Sequence, residues 1–187
     1  MKLKQNIRKE LLKKRNTLTE EQRENYSKLI RESLFLLPEY IHAEIILTYI
    51  SYQSEVSTYE IISHALKEGK RVFCPKVLKA GIMEFYEITS LKDVVCGYKN
   101  IPEPKTSTVF CQEAETTKVI MLMPLVGFDI QKNRLGYGGG FYDRYISKCT
   151  HLEKIALAFE CQKHEMLLPF EETDRKPDYI ITEQGMY

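Results

Sequence analysis

The segment Arg134-Leu-Gly-Tyr-Gly-Gly-Gly-Phe-Tyr-Asp-Arg144 decides how the rest of this chain is read. Four of the nine glycines, Gly136, Gly138, Gly139 and Gly140, fall within five positions. The apolar run Val119–Phe128 precedes them, and a helix-like stretch from Phe141 to about Cys149 comes after. Glycine gives up more backbone freedom on folding than any other residue, so such a cluster marks positive-φ backbone or close approach by a ligand. A glycine loop entering a helix aims several free N–H groups and the positive dipole end at one point, which suits a phosphate. Arg134 and Arg144 supply charge partners for that phosphate, and Asp143 offers a carboxylate oxygen for Mg²⁺.

Two familiar phosphate loops are excluded by their letters. A P-loop places Lys-Ser/Thr after its last glycine, where this chain has Phe141-Tyr142. A dinucleotide fingerprint read from Gly136 needs glycine or alanine at position 141, and Phe141 stands there. The competing structural reading is a turn with an irregular helix start. Three consecutive glycines flanked by two arginines and an aspartate count against it.

Working outward, Leu3, Ile7 and Leu11 lie four apart and form one stripe of a helix with basic residues around it. Thr19-Glu-Glu-Gln22 reads as a capping box, and Tyr26, Leu29, Ile30, Ser33, Leu34 and Leu37 keep a helical period until Pro38. Ser57-Thr-Tyr-Glu60 reads as a second capping box, opening a helix that Gly69 closes. Strands are expected at Glu44–Ile50, at Arg71–Cys74 (stopped by Pro75), and at Ile82–Ile88, Val119–Met123, Ile155–Phe159 and Tyr179–Ile181. Cys96–Ser107, with Gly97, Pro102 and Pro104, reads as a surface loop. Val119–Met123 is continuously apolar, as a strand buried on both faces should be. Alternating strands and helices predict an α/β fold, a three-layer αβα sandwich around a mainly parallel sheet, in a single domain over 1–187. Ligands of such sheets bind beyond the carboxyl ends of the strands. Ser51–Glu55, Pro75-Lys76 and Gly127–Gly140 are expected to converge there.

Composition bounds the function. The 187 residues are 43% hydrophobic and 28% charged, with a net charge of +1, the profile of a globular protein. Near-neutral charge removes the main argument for a nucleic-acid partner. No apolar run approaches the roughly 20 residues that span a bilayer, and Met1–Arg15 is too charged for a signal peptide. A cytoplasmic protein without a membrane partner is expected. Cys74, Cys96, Cys111, Cys149 and Cys161 form no CxxC pair, and His42, His64, His151 and His164 make no HExxH. Reduced, mostly buried thiols and isolated surface histidines are expected rather than a zinc site or disulfides.

With these residues in view, the chain resembles the 5-formyltetrahydrofolate cyclo-ligases, also called 5,10-methenyltetrahydrofolate synthetases. The likeness runs nearly end to end. It includes Lys4 and Arg8, Glu55-Val-Ser-Thr58, Gly69-Lys70, Ile101-Pro-Glu-Pro104, Phe128-Asp129 and the stretch Asn133–Arg144. Ala158-Phe159, Gln162, Leu168-Pro169 and Asp174 close it. The glycine motif is the specific part. One departure is Phe141, where the family more often has tyrosine; stacking is kept and a hydroxyl is lost.

The resemblance implies an ATP- and Mg²⁺-dependent enzyme that converts 5-formyltetrahydrofolate to 5,10-methenyltetrahydrofolate, releasing ADP and phosphate. The formyl oxygen attacks the γ-phosphate, the folate N10 closes the ring, and phosphate leaves. Such chemistry asks the protein to position reactants and stabilise charge, and no side-chain nucleophile is required or visible. By the family's pattern ATP is bound by Lys4, Arg8, Arg134, Leu135, Gly136, Tyr137, Gly138, Gly139, Gly140, Phe141 and Tyr142. The folate is bound by Ile50, Glu55, Tyr137, Gly138, Gly139, Gly140 and Phe141. Magnesium falls to Asp143 and Asp174. Lys4 and Arg8 are one helical turn apart and share a face; taken alone they read as part of a solvated basic face with Lys2, Lys9, Lys13, Lys14 and Arg15. Glu55 suits the guanidine-like edge of a pterin, against the plainer reading of an acid at a helix N-terminus.

The implied partner is a small reduced folate, with or without a polyglutamate tail. A monomer is the expectation. Two other functions compete: a different ATP-dependent ligase or kinase using the same loop, and a non-enzymatic nucleotide- or RNA-binding module led by the basic first helix. The second lacks the interleaved aromatic and basic residues that stack bases.

Overall fold

Short β-branched runs alternating with amphipathic helices build one large sheet covered on both faces. The computed structural model describes residues 2–78, 81–97, 100–111, 117–149 and 151–187. In chain order the elements are α1 (Lys2–Asn16), α2 (Glu20–Phe35), α3 (Pro38–His42), β1 (Ile45–Thr48), α4 (Tyr59–Lys67), β2 (Arg71–Val77) and β3 (Met83–Ile88). Next come β4 (Val94–Cys96), β5 (Pro102–Pro104), β6 (Val119–Pro124), β7 (Gly127–Phe128), β8 (Arg134–Leu135), α5 (Phe141–Ile146), β9 (Glu153–Leu157), β10 (Tyr179–Thr182) and β11 (Gly185–Met186).

The main sheet has seven strands in the order β11-β10-β9-β6-β1-β2-β3. The five central strands are parallel, and β3 and β11 close the edges antiparallel. β6 sits at the centre, Ile120 facing Ile46 on one side and Glu153 on the other. Alternation along each strand sorts the core into two faces. Ile46, Val72, Ile120, Leu122, Ile155 and Ile181 meet Ile30, Leu34, Ile61 and Ile62 of α2 and α4. Ile45, Leu47, Phe73, Met121, Met123, Ala156 and Ile180 meet Tyr145 and Ile146 of α5. This is the expected αβα layering. Among the described residues no helix is long and apolar enough to cross a membrane.

Local chemistry explains where the structure agrees with the sequence signals and where it departs from them. The Thr19 capping box forms, with Thr19 Oγ1 accepting from Gln22 N–H and Gln22 Oε1 accepting from Thr19 N–H. The second box, at Ser57–Glu60, does not. The Thr58 hydroxyl instead donates to Tyr49 O at 2.8 Å and accepts from Ser51 N–H at 3.0 Å, so α4 starts without a side-chain cap. β2 runs through Pro75 rather than stopping there. Pairing with β1 ends at Phe73, so Pro75 has a strand neighbour on one side only, where a missing N–H is tolerated. Pro38 opens α3, for which a proline at N1 is preorganised, and α2 has already ended at Phe35. The stretch read as a loop at 96–107 holds β5, which pairs antiparallel with β4 and extends only from Pro102 to Pro104. A two-stranded ribbon is all edge and accommodates prolines. α5 is shorter than expected, ending at Ile146.

Two composition-based expectations are also corrected. Only Cys74 is buried; Cys96 and Cys111 are exposed, and Cys149 and Cys161 are intermediate. His64 is not isolated: its ring stacks on Phe35 at 4.1 Å, and Nδ1 lies 3.1 Å from Tyr40 Oη.

Candidate functional site

At the carboxyl rim of the sheet, α1 lies across the turn after β6. Ile7 and Leu11 pack on Val126, Leu135 and Leu168 in a third apolar cluster. Gly127 has no room for a Cβ, because a Leu11 methyl fills that space. Burying one helix face against this turn leaves the flanking basic side chains pointing at the next segment of chain.

That segment is a hairpin ending in the glycine loop. Asp129, fully buried, accepts from Gln131 N–H, Asn133 N–H and Asn133 Nδ2, and from Leu168 N–H at 2.7 Å. These four bonds fix the β7–β8 turn and so the starting point of Arg134. Gly138 and Gly140 take φ of +98° and +62°, a region that favours glycine, and Gly140 is the N-cap of α5. Gly139 does not have positive φ, but a Cβ there would come within 2.5 Å of the Phe141 ring. Among the described residues, none of the N–H groups of Tyr137 to Gly140 is paired with another protein atom.

Every residue from Arg134 to Arg144 lines one cleft of about 770 Å³, together with Lys4, Arg8, Glu171, Asp174 and Arg175. Arg8 Nε donates to Gly136 O at 2.7 Å. Lys4 Nζ donates to Asp174 Oδ2 at 2.8 Å and lies 3.0 Å from Glu171. Burial opposes the Lys4 ammonium, and the bonds to Asp174 and Glu171 outweigh it, holding the group above its ordinary value. Arg134 Nη2 donates to Asp143 Oδ1 at 2.6 Å, and Arg175 N–H donates to the same oxygen at 3.0 Å. Arg134 Nε and Tyr142 Oη are buried at the cleft with no partner among the described residues. Arg144 lies over the Phe141 ring and donates to Gly81 O at 3.1 Å.

Glu55 reaches this cleft through one residue. Tyr137 Oη donates to Glu55 Oε1 at 2.6 Å, and Tyr52 N–H donates to Oε2 at 2.9 Å. Burial raises the Glu55 carboxyl above its ordinary value, against the pull of Tyr137, Tyr52 N–H and Arg15. Burial and the neighbouring Glu55 together push the Tyr137 phenol far up. The loop that carries Glu55 is tied down by Thr58 and by Tyr49 Oη, which donates to Val56 O at 2.9 Å.

The structure therefore brings Lys4, Arg8, the whole stretch from Arg134 to Tyr142, Asp143 and Asp174 into one cleft, with Glu55 at its flank. Ile50 is not brought to the cleft; it is buried in the core with Tyr49 and Val56. The 75–76 segment does not converge either, since Lys76 Nζ turns to Pro104 O at 3.2 Å and Glu103 at 3.5 Å. Three participants escape sequence reasoning. Glu171 and Arg175 flank Asp174 and leave no local signal. Arg15 does leave one. The stripe Leu3, Ile7, Leu11 continues by four to Arg15, and α1 buries Ile7, Leu11 and Arg15.

Fold and site define an α/β protein with a cleft lined by a glycine loop and charged side chains at the carboxyl rim of a largely parallel sheet. The family model for 5-formyltetrahydrofolate cyclo-ligases matches residues 1–183. The chain belongs to that family, a family of ligases. It is 30% identical over 192 residues to the mouse 5-formyltetrahydrofolate cyclo-ligase, covering 97% of this chain and 94% of that protein. The Escherichia coli enzyme of the same name is 30% identical over 173 residues, covering 90% and 94%. Among solved structures, the Aquifex aeolicus 5,10-methenyltetrahydrofolate synthetase superposes with a TM-score of 0.84 at 30% identity, covering 98% of this chain and 91% of that one. The Mycoplasma pneumoniae synthetase gives 0.76 at 26% identity, covering 96% and 98%.

Proposed function

We propose that this protein converts 5-formyltetrahydrofolate to 5,10-methenyltetrahydrofolate at the expense of ATP, with Mg²⁺, releasing ADP and phosphate. The observation that carries the reading is the Tyr137–Glu55 contact. It joins a phosphate-type loop to a carboxylate suited to a pterin edge, so a formyl group and a terminal phosphate can be held side by side.

The cleft fits a triphosphate. Unpaired N–H groups from Tyr137 to Gly140 can donate to phosphate oxygens, and Gly138 lets backbone approach without a Cβ. Arg8, Arg134 and Arg144 line the same cleft and complement the charge that phosphoryl transfer spreads over the oxygens. The donor chemistry also fits magnesium. Asp143 and Asp174 offer anionic oxygens, and a metal on nucleotide phosphates asks the protein for only one or two carboxylates. When bound, the metal neutralises phosphate charge and orients the transferred group. Glu55 would accept two hydrogen bonds from the pterin, displacing Tyr137 from Oε1. Tyr142 Oη, buried beside Arg134 and without a partner among the described residues, could donate to a bound oxygen.

The test is the rise in methenyltetrahydrofolate absorbance on mixing the protein with 5-formyltetrahydrofolate, ATP and Mg²⁺, with each omitted in turn. Stoichiometric ADP and methenyl product are expected only in the full mixture. ADP release without the methenyl product would assign the loop to another acceptor.

A further inference from the structure

Besides Lys4 and Arg8, α1 carries a third cation inward, at its other end. Arg15 is 2% exposed and, among the described residues, is the only buried lysine or arginine. No carboxylate lies within ion-pair distance of it among those residues. Its partners are neutral. Nε donates to Ser54 Oγ at 3.0 Å, Nη1 donates to Leu125 O at 3.4 Å, and the guanidinium lies 5.7 Å from the centre of the Tyr137 ring. Ser54 Oγ in turn donates to Asn16 Oδ1 at 2.5 Å. Taking a cation out of water without an anion is costly, and a packed apolar side chain would serve a helix face better. A structural role alone does not account for it.

Its placement does. Ser54 is the neighbour of Glu55, Leu125 belongs to the turn after β6, and Tyr137 belongs to the glycine loop. Arg8 and Arg15 are seven residues apart, two turns or about 10.5 Å along one side of α1. Arg8 grips Gly136 O while Arg15 faces the ring of Tyr137, so one rigid helix holds two successive loop residues. We propose that Arg15 is a positioning residue for the folate: it holds the Ser54–Glu55 segment and Tyr137 in register and gives the pterin pocket its buried positive charge.

The proposal rests on the reading of Glu55 as the pterin-binding carboxylate. The charged and titratable groups around Glu55 are Arg15 from α1, Tyr49 beyond β1, and Tyr137 and Tyr142 from the loop and α5. Arg15 alone among them is a cation. Burial pushes the Glu55 carboxyl up, and Arg15 works against that push. Without Arg15 the proton is held to higher pH, and a protonated Glu55 accepts the pterin's two donors poorly.

The experiment is the dissociation constant for 5-formyltetrahydrofolate, without ATP, across a pH series, for wild type, Arg15→Gln, Arg15→Lys and Glu55→Gln. ATP affinity and melting temperature are measured alongside. Arg15→Gln should bind folate about tenfold more weakly at neutral pH, the loss of one charge-assisted interaction. Its acidic limb should move up by roughly one pH unit, with ATP affinity nearly unchanged. Arg15→Lys keeps the charge, so the limb should stay near wild type. Affinity should still fall, because an ammonium cannot reach Ser54 Oγ and Leu125 O with the geometry of a fork. If Arg15→Gln does not fold, Arg15→Lys decides. A folded variant with wild-type folate binding at every pH overturns the role, as does an equal loss of folate and ATP affinity with an unmoved limb. Glu55→Gln separates the two layers. If it binds folate like wild type, the Glu55 reading fails and takes this proposal with it. If it loses affinity while both Arg15 variants keep theirs, only Arg15 is excluded.

Discussion

The two ends of α1 look alike in sequence and differ in the structure. Lys4, near the start, is partly exposed and sits in a network with Asp174 and Glu171 at the mouth of the cleft. Arg15, at the far end, is buried among hydroxyl, carbonyl and aromatic groups. The same contrast divides the site. On the proposed reading, the phosphate half is built from opposed charges, with Arg134 on Asp143 and Lys4 on Asp174, pairs that a polyanion or a metal would have to open. The Glu55 half is built from the Tyr137 hydroxyl and the Tyr52 N–H around a partly buried carboxylate. The first arrangement suits a ligand that carries many charges and leaves with them. The second suits a neutral heterocycle recognised by a few directed hydrogen bonds.

If that division is right, damage to the loop should be severe and fall mainly on the phosphate half. Gly139→Val places a branched side chain where even a Cβ would press on the Phe141 ring. Turnover should fall about a hundredfold or more, since small misplacements of reacting groups have costs of that order. The loop is exposed, so the melting temperature should hardly move, and ATP affinity should fall further than folate affinity measured without ATP. An active, stable Gly139→Val protein would show that this loop does not cradle the phosphates. Arg134→Ala comes next. It removes a charge-assisted donor and leaves Asp143 with only Arg175 N–H. ATP affinity and kcat/KM for ATP should fall by about 1.5–3 kcal/mol, with the folate Kd unchanged. Equal losses for both substrates would erase the boundary between the halves.

The phosphate half is the legible one. Its glycines, Arg134, Arg144 and Asp143 lie within eleven consecutive positions, and strand, turn and helix signals are local. The Thr19 cap is readable for the same reason. The Ser57–Glu60 box fails because α4 takes Thr58, one residue later, as its N-cap, and the Thr58 hydroxyl is engaged by Tyr49 O, nine residues back, and by Ser51 N–H, which no local pattern shows. Tyr137 and Glu55 are 82 positions apart, and only the likeness to a family puts both on one substrate. Arg15 is hidden by its neighbours. Among Lys13, Lys14 and Asn16 it reads as solvated, although the four-residue stripe already points it inward. Ile50 is the opposite case, an apolar strand end that the likeness assigns to the pocket wall and that the structure buries in the core beside Val56, the neighbour of Glu55.

Glu55→Gln sharpens the comparison from the folate side. The amide keeps one acceptor and loses the ability to take two donors, so folate affinity should fall about tenfold while ATP affinity holds. A loss shared with ATP would mean that the carboxylate organises the loop rather than the pterin.

The same variant makes the smallest and most diagnostic prediction, in stability. The Glu55 carboxyl is raised above the ordinary 4.5 chiefly by burial. Between 4.5 and the raised value, the folded protein holds a proton that the unfolded chain has released. Stability must therefore fall as pH rises through that window, since the unfolded state binds fewer protons. Below 4.5 the contribution is fully present; above the folded value it is gone. Glutamine has no proton to lose, so the difference between variant and wild type should shift in favour of Glu55→Gln across the window and be flat outside it. At neutral pH the variant should melt at or above the wild-type temperature while binding folate worse, the usual cost of keeping a charge where function needs it. Denaturant titrations of both proteins from about pH 4 to about pH 8 measure this. A difference that stays flat over the whole range would mean that Glu55 is solvated like a surface carboxylate, and the contrast between a half of paired charges and a half built on one desolvated carboxylate would have to be given up.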